Sequence, residues 1–175
     1  NVTTTGGKIV VLGNPTDSGS SANFGIATQF LGASSGNINI IVDNTEISTG
    51  DGLDGNGRSS NDIYASISQS GTGNIDIQNS GKLSTAGESS YNIQAINLGS
   101  GDIEVVNQGE LTTTGKTAYS IYATANAGNV LVNNSGSITT SGLRGYGINA
   151  QSIDGDVTVM NTGNINLIDS GDAIY

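Results

Sequence analysis

The stretch Gly128-Asn-Val-Leu-Val-Asn-Asn-Ser-Gly-Ser-Ile-Thr-Thr-Ser-Gly-Leu-Arg-Gly-Tyr-Gly-Ile-Asn-Ala150 holds three short alternating segments: Val130-x-Val132, Ile138-x-Thr140 and Tyr146-x-Ile148-x-Ala150. Glycine, serine or asparagine separates each segment from the next. The same three-part unit recurs in both directions from here. Its opening, Gly-(Asn/Asp)-(Ile/Val), starts at Gly36, Gly73, Gly101, Gly128 and Gly155, at intervals of 37, 28, 27 and 27 residues. The middle segment is centred on Ile9, Ile47, Leu83, Leu111, Ile138 and Ile165, and the third on Ile26, Ile63, Ile93, Ile121, Ile148 and Ile174. A fixed period of this length is the signature of a repeat architecture.

Each segment alternates apolar and polar residues over three to five positions, which is the period of a strand and not of a helix. The inward set is β-branched or aromatic, as strands prefer. Three strands per turn of about 27 residues, joined by loops too short for a crossover helix, predict an all-β fold: a single-stranded parallel β-helix of about six coils. Equivalent strands would then stack about 4.8 Å apart, and the rule for parallel crossovers favours a right-handed coil. A β-propeller is the rival, but each blade needs four antiparallel strands and about 40 residues.

The 175 residues suit one domain, with coils at approximately 1–35, 36–72, 73–100, 101–127, 128–154 and 155–175 and an extended loop at 50–62. An apolar share of 34% is thin for a globule but adequate for a narrow column walled by solvent. The net charge of −10, from fifteen acidic and five basic residues, disfavours nucleic acid and anionic membrane as partners. No apolar run approaches spanning length, so direct membrane insertion by this segment is not expected. Absent cysteine removes disulfides and thiol chemistry, and absent histidine removes the commonest general base.

Several residues stand out. Asp43, Asn79, Asn107, Asn134 and Asn161 each precede the middle apolar residue by four positions, which predicts a structural amide ladder along the axis. The glycines two residues beyond the asparagines, Gly81, Gly109, Gly136 and Gly163, suggest a turn with unusual φ. Tyr91, Tyr119 and Tyr146 share parity with Ile93, Ile121 and Ile148 and are expected to point inward or to cap a corner. Tyr64 and Tyr122 have the opposite parity and are expected at the surface as contact candidates. Lys8, Glu46, Lys82 and Glu110 alternate in sign on successive coils, whereas Asp76 and Glu104 stack like charges and invite a cation or a partner's basic group. In the long loop, Asp51, Asp54, Asn56 and Asp62 could converge oxygens on Ca²⁺, although Arg58 falls where a third ligand of the usual spacing would sit. The competing view of that loop is a solvated turn with no cofactor.

Taken with Gly155-Asp-Val-Thr-Val-Met-Asn-Thr-Gly-Asn-Ile165, the quoted unit resembles the repeats of bacterial autotransporter passenger domains. The resemblance covers nearly all of the chain and is most regular from residue 73. It implies a right-handed β-helical rod, part of a longer passenger exported across the outer membrane and displayed or released at the cell surface. It also implies a non-enzymatic role in adhesion, autoaggregation or biofilm, with host or bacterial surface proteins, glycans or other passengers as partners. The coil at 36–72 departs from the pattern: Asp43 and Thr45 stand where asparagine and glycine are usual, and Asn61 where an aromatic is usual.

Two other classes compete. A polysaccharide lyase would want a base, yet Arg58 and Arg144 stand three coils apart, about 14 Å by strand spacing. A glycosidase would want two carboxylates about 5–9 Å apart, and Asp54 and Glu88, in the same turn of adjacent coils, suit that distance. A self-stacking filament subunit would grow through the unpaired strand edges at either end.

Overall fold

The computed structural model describes residues 1–11, 23–50, 60–169 and 171–175. Pro15 lies outside them, as do Asp51, Asp54, Asn56 and Arg58 of the long loop.

Three strands make each coil. The first coil holds β1 (Val2–Thr5), β2 (Lys8–Val11) and β3 (Phe24–Phe30), and the second β4 (Ile38–Asp43), β5 (Glu46–Thr49) and β6 (Asn61–Ile67). The third has β7 (Ile75–Asn79), β8 (Lys82–Thr85) and β9 (Tyr91–Asn97), and the fourth β10 (Ile103–Asn107), β11 (Glu110–Thr113) and β12 (Tyr119–Ala125). The fifth has β13 (Val130–Asn134), β14 (Ser137–Thr140) and β15 (Tyr146–Ser152), and the sixth β16 (Val157–Asn161) and β17 (Ile165–Leu167). Every third strand pairs in parallel. The first sheet runs β1-β4-β7-β10-β13-β16, the second β2-β5-β8-β11-β14-β17, and the third β3-β6-β9-β12-β15. An isolated parallel bridge from Ile148 to Ile174 carries the third sheet into the sixth coil. This is a parallel β-helix with three strands per coil, as the period predicts.

The register stacks like on like. Ile26, Ile63, Ile93, Ile121 and Ile148 form one column, and Ile47, Leu83, Leu111 and Ile138 another. Nearly all of these side chains are fully buried, with Ile26 the most exposed of them at 7%. Each apolar side chain thus covers the one below it, and burial accumulates coil by coil as in other solenoids.

The asparagine ladder is present, with one correction. Asn79 Nδ2 donates to Asn107 Oδ1, Asn107 to Asn134, and Asn134 to Asn161, each at 2.7 Å. These three Nδ2 groups also reach the carbonyls of Gly81, Gly109 and Gly136 at 3.2–3.4 Å, and Asn161 Nδ2 reaches that of Gly163 at 2.9 Å. Asp43 is not a rung. Val42 pairs with Asn79 in register, because the second coil carries one additional residue before Ile47. That residue is Asp43, which accepts instead from Ser80 Oγ at 2.9 Å while Asn44 beside it takes φ 47°.

The ladder glycines need correction too. None of Gly81, Gly109, Gly136 and Gly163 has positive φ. Each lies so close to the coil below that an added Cβ would collide with a backbone carbonyl: that of Thr45, Gly81, Gly109 or Gly136 respectively. Close approach between coils, and not left-handed backbone, demands glycine here. Left-handed backbone falls on non-glycine residues one corner later, at Ser89 (φ 54°), Thr117 (φ 52°) and Arg144 (φ 58°), which occupy the same turn of three successive coils.

Candidate functional site

The three outer walls of the rod differ in charge. The first sheet carries Asp43, Asp76 and Glu104, and the second Lys8, Glu46, Lys82 and Glu110. In the five strands of the third sheet the sole charged residue is Asp62. Asp62 points inward.

On the second wall the alternating signs meet as expected. Lys8 Nζ lies 2.6 Å from Glu46 Oε1 and Lys82 Nζ 3.0 Å from Glu110 Oε2. The Glu110 hydrogen bond and charge raise the pKa of Lys82. Both pairs are exposed, so they help register more than stability. Glu88, the described half of the carboxylate pair considered for glycosidase chemistry, lies 3.7 Å from Lys116 Nζ.

On the first wall Asp76 and Glu104 are register partners on adjacent coils. They line an open cavity of about 450 Å³ with Asn1, Thr3, Asn39 and Gln78. Burial raises the pKa of Asp76. Among the described residues no group of three or more acidic side chains gathers as a metal site would require.

Asp62 was a candidate loop ligand, and the structure turns it into the core instead. It is 0% exposed. Its Oδ1 accepts from Thr49 Oγ1 at 2.9 Å and its Oδ2 from Asn92 Nδ2 at 2.8 Å. Burial, only partly offset by those hydrogen bonds, holds its pKa well above the ordinary carboxylate range.

The third wall holds the aromatics. Tyr91, Tyr119 and Tyr146 do not enter the core as parity counting suggests; they are half-buried on the outer face. Two consecutive residues point inward just after each ring (Asn92 and Ile93, Ser120 and Ile121), which inverts the alternation for the residue before them. The ladder pairing skips that same position: Tyr119 pairs with Tyr146 and Ile121 with Ile148. Tyr91 and Tyr119 stack at 5.3 Å and 12°, and Tyr119 and Tyr146 at 4.6 Å and 8°. Tyr122, outward as expected, packs edge-on against Tyr91 and Tyr119 at 5.4 and 5.5 Å. Tyr64, also outward, lies 5.0 Å from Phe24. Burial and neighbouring phenols raise the pKa values of Tyr91 and Tyr119.

Two residues of this wall carry a feature that a reading of the sequence does not show. Asn61 sits in register between Phe24 and Tyr91, and Asn149 beside Tyr122. They are 1% and 4% exposed, and the Oδ1 of each has no hydrogen-bond partner among the described residues. The signal for finding them was their place in the aromatic columns: Asn61 in that of the tyrosines with inverted parity, Asn149 in that of Tyr122, whose parity is regular.

No family model matches the chain, and neither a curated protein nor a solved structure does.

Proposed function

We propose that the rod is a structural and adhesive module of an autotransporter-type passenger, displayed or released at a bacterial surface. On this reading it serves attachment, autoaggregation or biofilm through contacts spread along its walls. The observation that carries this is the third wall: an uncharged aromatic strip running coil after coil along a chain of net charge −10. A surface repeated at every coil suits many weak contacts that sum by multivalency. The interior, closed by ladders of aliphatic side chains and amides, supplies the stiffness that keeps those contacts in line. The repeat pattern resembling passenger domains supports export and surface display.

The test displays the chain on cells and scores clumping and attachment as outward residues are replaced wall by wall. Loss on replacement of one wall supports the reading. Clumping that survives replacement along every wall overturns it, as does glycan cleavage that disappears in Asp54→Ala and Glu88→Ala.

A further inference from the structure

We infer that the outer face of the third sheet binds a neutral, hydroxyl-bearing glycan chain, with Asn61 and Asn149 as hydrogen-bond acceptors and Tyr91, Tyr119, Tyr122 and Tyr146 as the surface on which it lies. This names the ligand class of the adhesive reading above and rests on it.

Four observations converge on this face. The first is the pair of amide oxygens. Asn61 Oδ1 and Asn149 Oδ1 are buried with no donor among the described residues, whereas the large majority of such groups in native interiors are satisfied. Both lie on the outer side. Asn61 donates its own Nδ2 to Gln94 Oε1 at 2.6 Å, and Gln94 alternates outward against the buried Ile93 and Ala95; Asn149 pairs in register with outward Tyr122. An acceptor in this condition gains most from a ligand that brings an O–H or N–H.

The second is charge. Every outward side chain of the five strands is neutral, while the chain as a whole carries −10. An average protein surface brings both signs of charge, which would be desolvated here without a counter-charge. Nucleic acid and acidic polysaccharides would meet long-range repulsion. A neutral glycan brings hydroxyl donors and acceptors with apolar C–H faces, and it loses no ionic hydration on docking.

The third is the state of the phenols. Tyr91 and Tyr119 titrate above their ordinary range, so both stay neutral donors in any physiological medium. Because Tyr119 is stacked on both sides by Tyr91 and Tyr146, it presents its edge and hydroxyl outward more than its ring faces. The stack therefore offers a row of hydroxyls in step with the coils.

The fourth is extent. Asn61 and Asn149 stand three coils apart, about 14 Å along the axis. At the far border a shallow cavity of about 180 Å³, lined by Leu98, Thr124, Gln151 and Ile153 among others, continues the neutral wall. An extended chain can use that length; a single sugar cannot.

The experiment is calorimetric titration of the 175-residue chain with neutral gluco-, manno- and galacto-configured oligosaccharides, each as disaccharide and hexasaccharide, and with a uronate polymer as charged control. The expected result is binding of at least one neutral hexasaccharide, at least tenfold tighter than its disaccharide, with none of the uronate. Tyr122→Ala and Asn149→Leu should each weaken binding about tenfold, and Glu104→Gln on the first wall should leave it unchanged. Asn149→Leu should also leave the melting temperature unchanged or raised, since it removes an unpaired buried acceptor. A purely structural asparagine would lower it. Failure of every neutral hexasaccharide to bind at millimolar concentration overturns the inference, as does undiminished binding by Asn149→Leu. If cell attachment persists in the first of those cases, the adhesive reading stands without it. Attachment that instead follows a protein-coated surface and is lost in Tyr122→Ala assigns the wall to a protein partner and overturns the glycan.

Discussion

Replacing Asn107 by valine tests whether the amide ladder stabilises the rod as a connected column. Asn107 is fully buried, accepts from Asn79 at 2.7 Å and donates to Asn134 at 2.7 Å. Valine has a precedent in this column, since Val42 occupies the rung below Asn79. The substitution removes two inter-coil hydrogen bonds, each worth about 0.5–1.5 kcal/mol net, and leaves Asn134 Oδ1 without its donor at a further cost of about 1–3 kcal/mol. The added apolar burial returns about 1 kcal/mol. The expected net loss is about 3 kcal/mol, or roughly 6–12 °C in melting temperature for a chain of this size. Asn161→Val is the internal control. Asn161 is exposed, and the Asn134 Nδ2 that it releases keeps the Gly136 carbonyl at 3.2 Å, so the loss there should stay near or below about 1 kcal/mol. Urea unfolding followed by circular dichroism measures both. Equal losses in the two variants, or a gain in Asn107→Val, would refute the reasoning.

Other consequences follow from the same packing. Because burial raises the pKa of Asp62 above its unfolded value of about 3.8, the folded state holds the proton more tightly. The associated stability is then complete below that value and is lost as pH rises through the folded pKa. Asp62→Asn should flatten this part of the stability–pH curve and raise stability at neutral pH, and a wild-type curve that rises with pH across the window would contradict it. Gly109→Ala places a methyl against the Gly81 carbonyl, so the coil spacing must open; a loss of more than about 2 kcal/mol on urea unfolding is expected. Arg144→Gly relieves a left-handed non-glycine residue at an exposed turn, and a gain of about 0.5–1 kcal/mol in the same measurement is expected, glycine's added unfolded-state entropy offsetting part of the relief.

The coils themselves were legible because Ile93, Ile121 and Ile148 recur at a spacing that strand geometry converts directly into a column. Asn79, Asn107, Asn134 and Asn161 were legible for the same reason. Counting failed where the chain departs from uniform pleating. An additional residue at Asp43 moved Val42 into the ladder, and the paired inward residues Asn92–Ile93 and Ser120–Ile121 turned the preceding tyrosines outward. Glycine composition marked the corners without saying whether φ or crowding required it. Asp62 lies beside acidic loop residues in the chain, but its Thr49 and Asn92 partners belong to other strands, and only the fold brings them together. Serine, threonine and arginine at left-handed positions carry no common sequence mark. The outward place of Asn61 was hidden with that of the tyrosines in its column, whereas Asn149 shares the regular parity of Tyr122, and only the lack of a donor to its oxygen needed the structure.

The stacking of coils 27 residues apart along one axis also decides how the rod answers a pull. Tension applied to its ends would load the inter-coil hydrogen bonds of one terminal coil at a time, not all coils together. Each coil that peels away frees roughly 90 Å of chain. Such a tether lengthens in steps under load and spares the coils still stacked behind the break.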